Sequence, residues 1–176
     1  MKLAHACLFV LIGLAGISFA TMLLWTVPII QAGSDGAPLL DFQSKDTPVT
    51  DVQSYLIGMH QVARSAYLGP QRLLDTVFPV SLALALSLAI VWSLKPRIGR
   101  LSYVAAVVPL LYLYVDLLEN ATVAGLLRAA DPLPQSIQSV QVYTELKFLL
   151  LLAAGLILLL GLISRLIEWG LGRKRN

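Results

Sequence analysis

Four long apolar stretches divide the chain, and polar or Gly/Pro-rich connections separate them. They run roughly from Leu3 to Ile30, from Leu73 to Leu94, from Leu101 to Leu127 and from Val142 to Trp169. Each is long enough for a helix to cross a hydrocarbon core of about 30 Å, which takes about 20 residues. None alternates apolar and polar positions as a half-buried strand would. In lipid, a helix alone satisfies every backbone group within its own segment. The pattern predicts an all-α, four-transmembrane-helix bundle forming a single integral membrane domain over residues 1–176.

The connection over residues 31–72 is the one sizeable segment outside these stretches. Its first part, Ala32 to Pro48, is rich in Gly, Pro, Ser and Asp and reads as an irregular loop. Its second part predicts one amphipathic helix from Asp51 to about Tyr67, capped by Thr50 and ended by Gly69-Pro70. Val52, Tyr55, Leu56, Met59, Val62, Ala63, Ala66 and Tyr67 fall at the spacing of one apolar face. Such a helix is expected to lie at the outer interface, over the mouth of the bundle.

Composition agrees with the pattern: 57% of residues are apolar, 13% are charged and the mean hydropathy is +0.78. Soluble domains carry about a quarter of their residues as charges. This excludes a soluble globular enzyme, a disordered tail and a nucleic-acid-binding module. The first apolar stretch outlasts a signal-peptide core and lacks a clean small-residue cleavage site, so it reads as an uncleaved anchor. Cleavage after Ala32 is the alternative. Lys2, Lys95, Arg97, Arg100, Arg165, Arg173, Lys174 and Arg175 fall on one side with Glu168, while five basic and nine acidic residues share the other. By the positive-inside rule both termini are expected in the cytoplasm, with Lys95–Arg100 as a tight basic hairpin. Ser81, Ala85 and Ala89, and Gly16 and Ala20, repeat small residues at four-residue spacing, a packing signal. Trp25, Trp92 and Trp169 stand near span ends, where interfacial anchors belong.

Ionisable residues inside the spans are the candidate chemistry. Arg72, Asp75, Thr76 and Pro79 share one face of the second span, and Pro79 leaves the carbonyl of Asp75 without its helical donor. Tyr112, Asp116, Glu119 and Asn120 share a face of the third. Gln141, Thr144 and Glu145 share a face at the start of the fourth, with Lys147 on another. Counted along the spans, Asp75, Asp116 and Glu145 all fall in the outer-leaflet half, about 6–8 Å below its boundary. A charge at that depth is costly unless it faces the bundle interior and meets a partner. Arg72, Asp75, Tyr112, Asp116, Glu119, Asn120, Glu145 and Lys147 are therefore the candidate polar network or cavity. Three readings stay open: a network that locks helices together, a polar cavity lidded by the interfacial helix, or helix ends in water.

His5, His60 and Cys7 have no metal-site spacing, and no phosphate loop or nucleophile elbow is present, so no metal or cofactor is expected. A conducting path would need polar residues through the full thickness, and the inner halves of the first, second and fourth spans are almost entirely apolar. The stretch Tyr67-Leu68-Gly69-Pro70-Gln71, three residues, then Asp75-Thr76-Val77-Phe78-Pro79, with the later Asp116-Leu117-Leu118-Glu119-Asn120, resembles small four-span membrane proteins of bacteria. That resemblance carries no named activity; it implies a bacterial inner-membrane location. The expected function is a non-catalytic accessory or scaffold protein, with the bilayer, membrane-protein partners or further copies of itself as its partners and no nucleic acid. The alternative is a membrane enzyme or lipid-binding protein that uses the outer-half carboxylates on an amphiphile.

Overall fold

The computed structural model describes residues 2–40, 43 and 46–173. Of the basic residues counted for orientation, Lys45, Lys174 and Arg175 lie outside the described residues. The described chain is helical, with no strand among the described residues. Four helices are long and apolar enough to cross a membrane: His5–Ala32, Gln61–Ile98, Leu101–Arg128 and Pro134–Trp169.

Prolines set the irregularities of these helices. The first comprises α1 (Lys2–Thr21), a π turn (Met22–Thr26) and α2 (Val27–Ala32). Pro28 follows directly on this π turn, in the first turn of α2. After the loop come α3 (Val49–Gly58), an extended step at Met59 and His60, and α4 (Gln61–Ala66). Then a π turn (Tyr67–Gln71) leads without a break into α5 (Arg72–Ile98). The expected helix end at Gly69-Pro70 is thus corrected. A π turn pairs residues five apart, and this wider register takes in a proline ring that a regular turn would set against the carbonyl four residues back.

The single amphipathic helix is likewise two helices, because the chain is extended at Met59 and His60. The step changes the phase of the apolar face. Val52, Leu56, Met59, Ala63 and Tyr67 are buried as that face predicts, whereas Val62 is 73% exposed. Thr50 is not the cap, because α3 begins one residue earlier behind Pro48.

A turn at Gly99, whose φ of +55° suits glycine, joins α5 to α6 (Leu101–Ala105) and α7 (Val107–Arg128). The break at Ala106 precedes Pro109, and Ser87 of α5 donates a hydrogen bond to the Ala106 carbonyl at 2.9 Å. The last helix, α8 (Pro134–Arg173), has 40 residues and begins eight residues before the expected Val142. Its first turns bury Ile137 and Val140.

α5 is the central helix, packed against α1, α7 and α8, while α7 and α8 pack on each other. The small-residue stripe of α5 is part of this packing: Ser81 and Ala85 are buried and Ala89 is half-buried. Ala15 and Ser18 of α1 and Met22 of the π turn are buried, and Gly16 and Ala20 are exposed. At the end of the bundle away from Gly99, α3 and α4 close over the helix ends. A core of Ile30, Leu39, Leu56, Leu127, Ile137 and their neighbours lies between them. Gly33 is required there, since a Cβ at that position would lie 2.5 Å from the Cβ of Ala63.

Candidate functional site

Midway along the helices, each span contributes polar groups to one connected arrangement. The α7 residues come first, because their spacing puts four of them on one face. Tyr112, Asp116 and Glu119 are 3%, 7% and 0% exposed, and Asn120 is partly buried. From α8, Lys147 (7% exposed) places its Nζ 3.5 Å from Asp116 Oδ1 and in direct ion-pair contact with Glu119. The Thr144 hydroxyl donates to the same Glu119 carboxylate.

Asn120 links this group to α5. Its Nδ2 donates to Asp116 Oδ2 at 3.2 Å and to the backbone carbonyl of Asp75 at 2.9 Å. That carbonyl is the one Pro79 deprives of its helical donor, so a side chain of α7 supplies what the proline removes. The Asp75 carboxylate accepts from Gln71 Nε2 at 2.8 Å, and Gln71 in turn accepts from the hydroxyl of Thr26 in the first span. The arrangement thus runs unbroken from the first span to the fourth.

Six of the eight candidate residues come together here: Asp75, Tyr112, Asp116, Glu119, Asn120 and Lys147. Arg72 and Glu145 do not. Both side chains are exposed, and Arg72 borders a small crevice beside Tyr67 that Asp75 and Asn120 also line. The physical reason for Glu145 lies in the long α8. Ile137, Val140, Thr144, Lys147, Ala154, Gly161 and Ser164 are buried at intervals of three, four or seven, the repeat of one helix face. Lys147 stands in that stripe, and Glu145 points away from it. Sequence reading put Gln141, Thr144 and Glu145 on one face and Lys147 on another. Following the stripe back to Ile137 would have selected Thr144 and Lys147. Gln71 sits four residues before Asp75, a spacing that marks it; Thr26 carries no sequence signal.

Because α4 extends the second span, Asp75 is about 21 Å of helical rise from its start at Gln61, and Lys147 is about 20 Å from Pro134. Both residues therefore sit well inside their helices, away from the ends.

A cavity of about 370 Å³ lies against this network. Gln71, Asp75, Tyr112, Asp116, Asn120 and Lys147 form its polar wall. Phe19, Met22, Leu23 and Val27 from the first span, with Phe78, Phe148 and Leu151, form its apolar wall. Phe19, Leu23 and Phe148 are between 43% and 48% exposed, so the cavity opens sideways on the flank of the bundle. Neither α3 nor α4 lines it, and the expected lid is corrected accordingly. Those helices cover the bundle end instead.

His5 meets the ring of Trp92 edge-on, with centroids 6.4 Å apart. Among the described residues no three His, Cys, Asp or Glu side chains group as metal ligands. The arrangement supplies fixed carboxylates, a held ammonium and amide donors beside an apolar chamber. No protein-family model, curated protein or solved structure matches this chain.

Proposed function

We propose that this is a multi-pass membrane protein that binds an amphiphile from the bilayer, in a pocket entered between its first and fourth spans. The observation that carries the reading is the cavity itself. It is of ligand size, has one wall of converging polar groups and one of aromatic and aliphatic side chains, and opens where lipid chains would lie. A helix-locking network alone needs no such space, since packed helices close it. The charge asymmetry supports a topology with both termini and the Gly99 hairpin in the cytoplasm. In that topology α3 lies at the outer interface, and the resemblance noted above supports the inner membrane of a bacterium.

Native mass spectrometry on the full-length protein, extracted with its lipids, tests the reading. One bound amphiphile per chain is expected, and Leu151→Trp, which fills the apolar wall, should remove it without lowering the unfolding temperature. An unliganded wild type, or equal retention by Leu151→Trp, would overturn it.

A second reading, an accessory subunit, draws on a shallow apolar groove between α1 and α5, where exposed Gly16 would admit a partner's helix. It requires a stoichiometric protein partner, or a second copy, after gentle solubilisation. A lone monomer in several detergents would remove it.

A further inference from the structure

We infer that the amphiphile carries an uncharged head with a hydrogen-bond-accepting oxygen, and that Tyr112 selects that head by donating its phenolic hydrogen to it. This rests on the amphiphile-binding reading and adds the class of headgroup and the residue that reads it. Six polar side chains form one wall of the 370 Å³ cavity, and all but Tyr112 are engaged within the protein. Gln71 accepts from Thr26 and donates to Asp75. Asn120 donates to Asp116 and to the Asp75 carbonyl, and Lys147 pairs with Asp116 and Glu119. Tyr112 is 3% exposed and lines the cavity, and its hydroxyl makes no hydrogen bond among the described residues. It stands one helical turn before Asp116 on α7, yet donates to none of the carboxylates around it.

A tyrosine hydroxyl so enclosed ordinarily has a partner, because burial takes away the water that otherwise bonds it. The cavity is the side from which a partner can come. Charge then argues for a neutral one. Asp116 and Lys147 hold each other, the Asp75 carboxylate accepts from Gln71, and Arg72 borders the crevice that Asp75 also lines. An ionic head would bring its charge into a chamber whose own charges are engaged, and would have to break a pair to find a counter-ion. A carbonyl or hydroxyl oxygen needs only the donor that Tyr112 offers. Phe78, Phe148 and Leu151 in the apolar wall then receive the start of the alkyl chain.

Full-length protein in phosphocholine-detergent micelles, titrated with methyl tetradecanoate, tetradecane, tetradecylammonium and tetradecyl phosphate and read by native mass spectrometry, tests the inference. The ester should bind at one per chain and about fivefold more tightly than each of the others, as one net hydrogen bond allows. Tyr112→Phe removes one oxygen and keeps the ring; it should bring the ester down to the affinity of tetradecane with the unfolding temperature unchanged. With an isotope-labelled ester, the infrared carbonyl band of the bound probe should lie lower in the wild type than in Tyr112→Phe, a signature that a merely structural tyrosine would not give. Equal or tighter binding of either ionic probe would overturn the neutral head and leave the amphiphile reading standing. Equal binding of ester and tetradecane by the wild type, a comparison that needs no variant, would overturn the hydrogen bond. An ester affinity and carbonyl band that Tyr112→Phe leaves unchanged would show that the hydroxyl is bonded to water and overturn its role. Binding of none of the four would overturn both readings.

Discussion

Glu119 is the largest charged side chain with no exposure, and its surroundings show how a carboxylate is kept in such a place. Lys147 pairs with it and Thr144 donates to it, while Asp116 lies beside the same ammonium. Removing one partner of a buried pair typically costs about 3–5 kcal/mol, because the other charge stays behind in low dielectric. Lys147→Met should therefore lower the thermal unfolding temperature sharply. Adding Glu119→Gln to it should recover most of the loss, and a double-mutant cycle in detergent measures the coupling. Asp116 separates structure from binding. Asp116→Ala removes a carboxylate that Lys147 and Asn120 both contact, whereas Asp116→Asn keeps the shape and part of the hydrogen bonding. The Ala variant should unfold at the lower temperature, and both should retain less bound amphiphile in native mass spectrometry. Equal unfolding temperatures would mean that the pairing contributes nothing to the fold.

At the scale of elements, two contacts hold helices at fixed separations. A Cβ on Gly161 of α8 would overlap the Ser93 hydroxyl and lie 2.8 Å from the Ser93 Cβ, so α5 and α8 approach closely only because this residue is glycine. Gly161→Ala should force them apart and destabilise by about 1–3 kcal/mol, the usual range for overpacking. Ser93→Gly in the same chain should restore stability, and thermal unfolding of the pair of variants checks it. The second contact is Arg64 of α4. Its guanidinium donates to the carbonyls of Leu56, near the end of α3, and of Leu127, near the end of α7. It thus takes up acceptors that a helix C-terminus leaves unpaired. Arg64→Met should cost about 1.5–3 kcal/mol, the range for hydrogen bonds to a charged group. Hydrogen exchange should show faster opening of α3 with α5, α7 and α8 unchanged; uniform loss of protection would show that α3 and the bundle open together.

Taken whole, the molecule has two ends of different character. One is closed by α3 and α4 over an apolar core, and the other carries Lys95, Arg97, Arg100 and Arg165. At the second end Arg97 pairs with Glu168 at 3.0 Å, and Arg165 stacks on Trp92 at 3.9 Å. In a bacterial host, with Cys7→Ala as background, Ile98→Cys should resist a membrane-impermeant thiol reagent added to intact cells, and Ala130→Cys should react. The reverse labelling would invert the proposed topology.

Four long apolar helices, their order and the residues able to form a polar network were legible in the chain. Hydrophobic length and the cost of burying charge are local properties of a sequence. Pro79 even announced which carbonyl would need an outside donor. That Asn120 supplies it was decided by the crossing of α5 and α7, which no local pattern encodes. The tertiary structure likewise chose Lys147 over Glu145, because the buried stripe of α8 depends on which side α7 packs. It left Arg72 exposed and drew Thr26 into contact with Gln71, because α1 packs against α5. The cavity is the furthest from sequence, since it is the space four helices leave between them, and space has no residue to mark it.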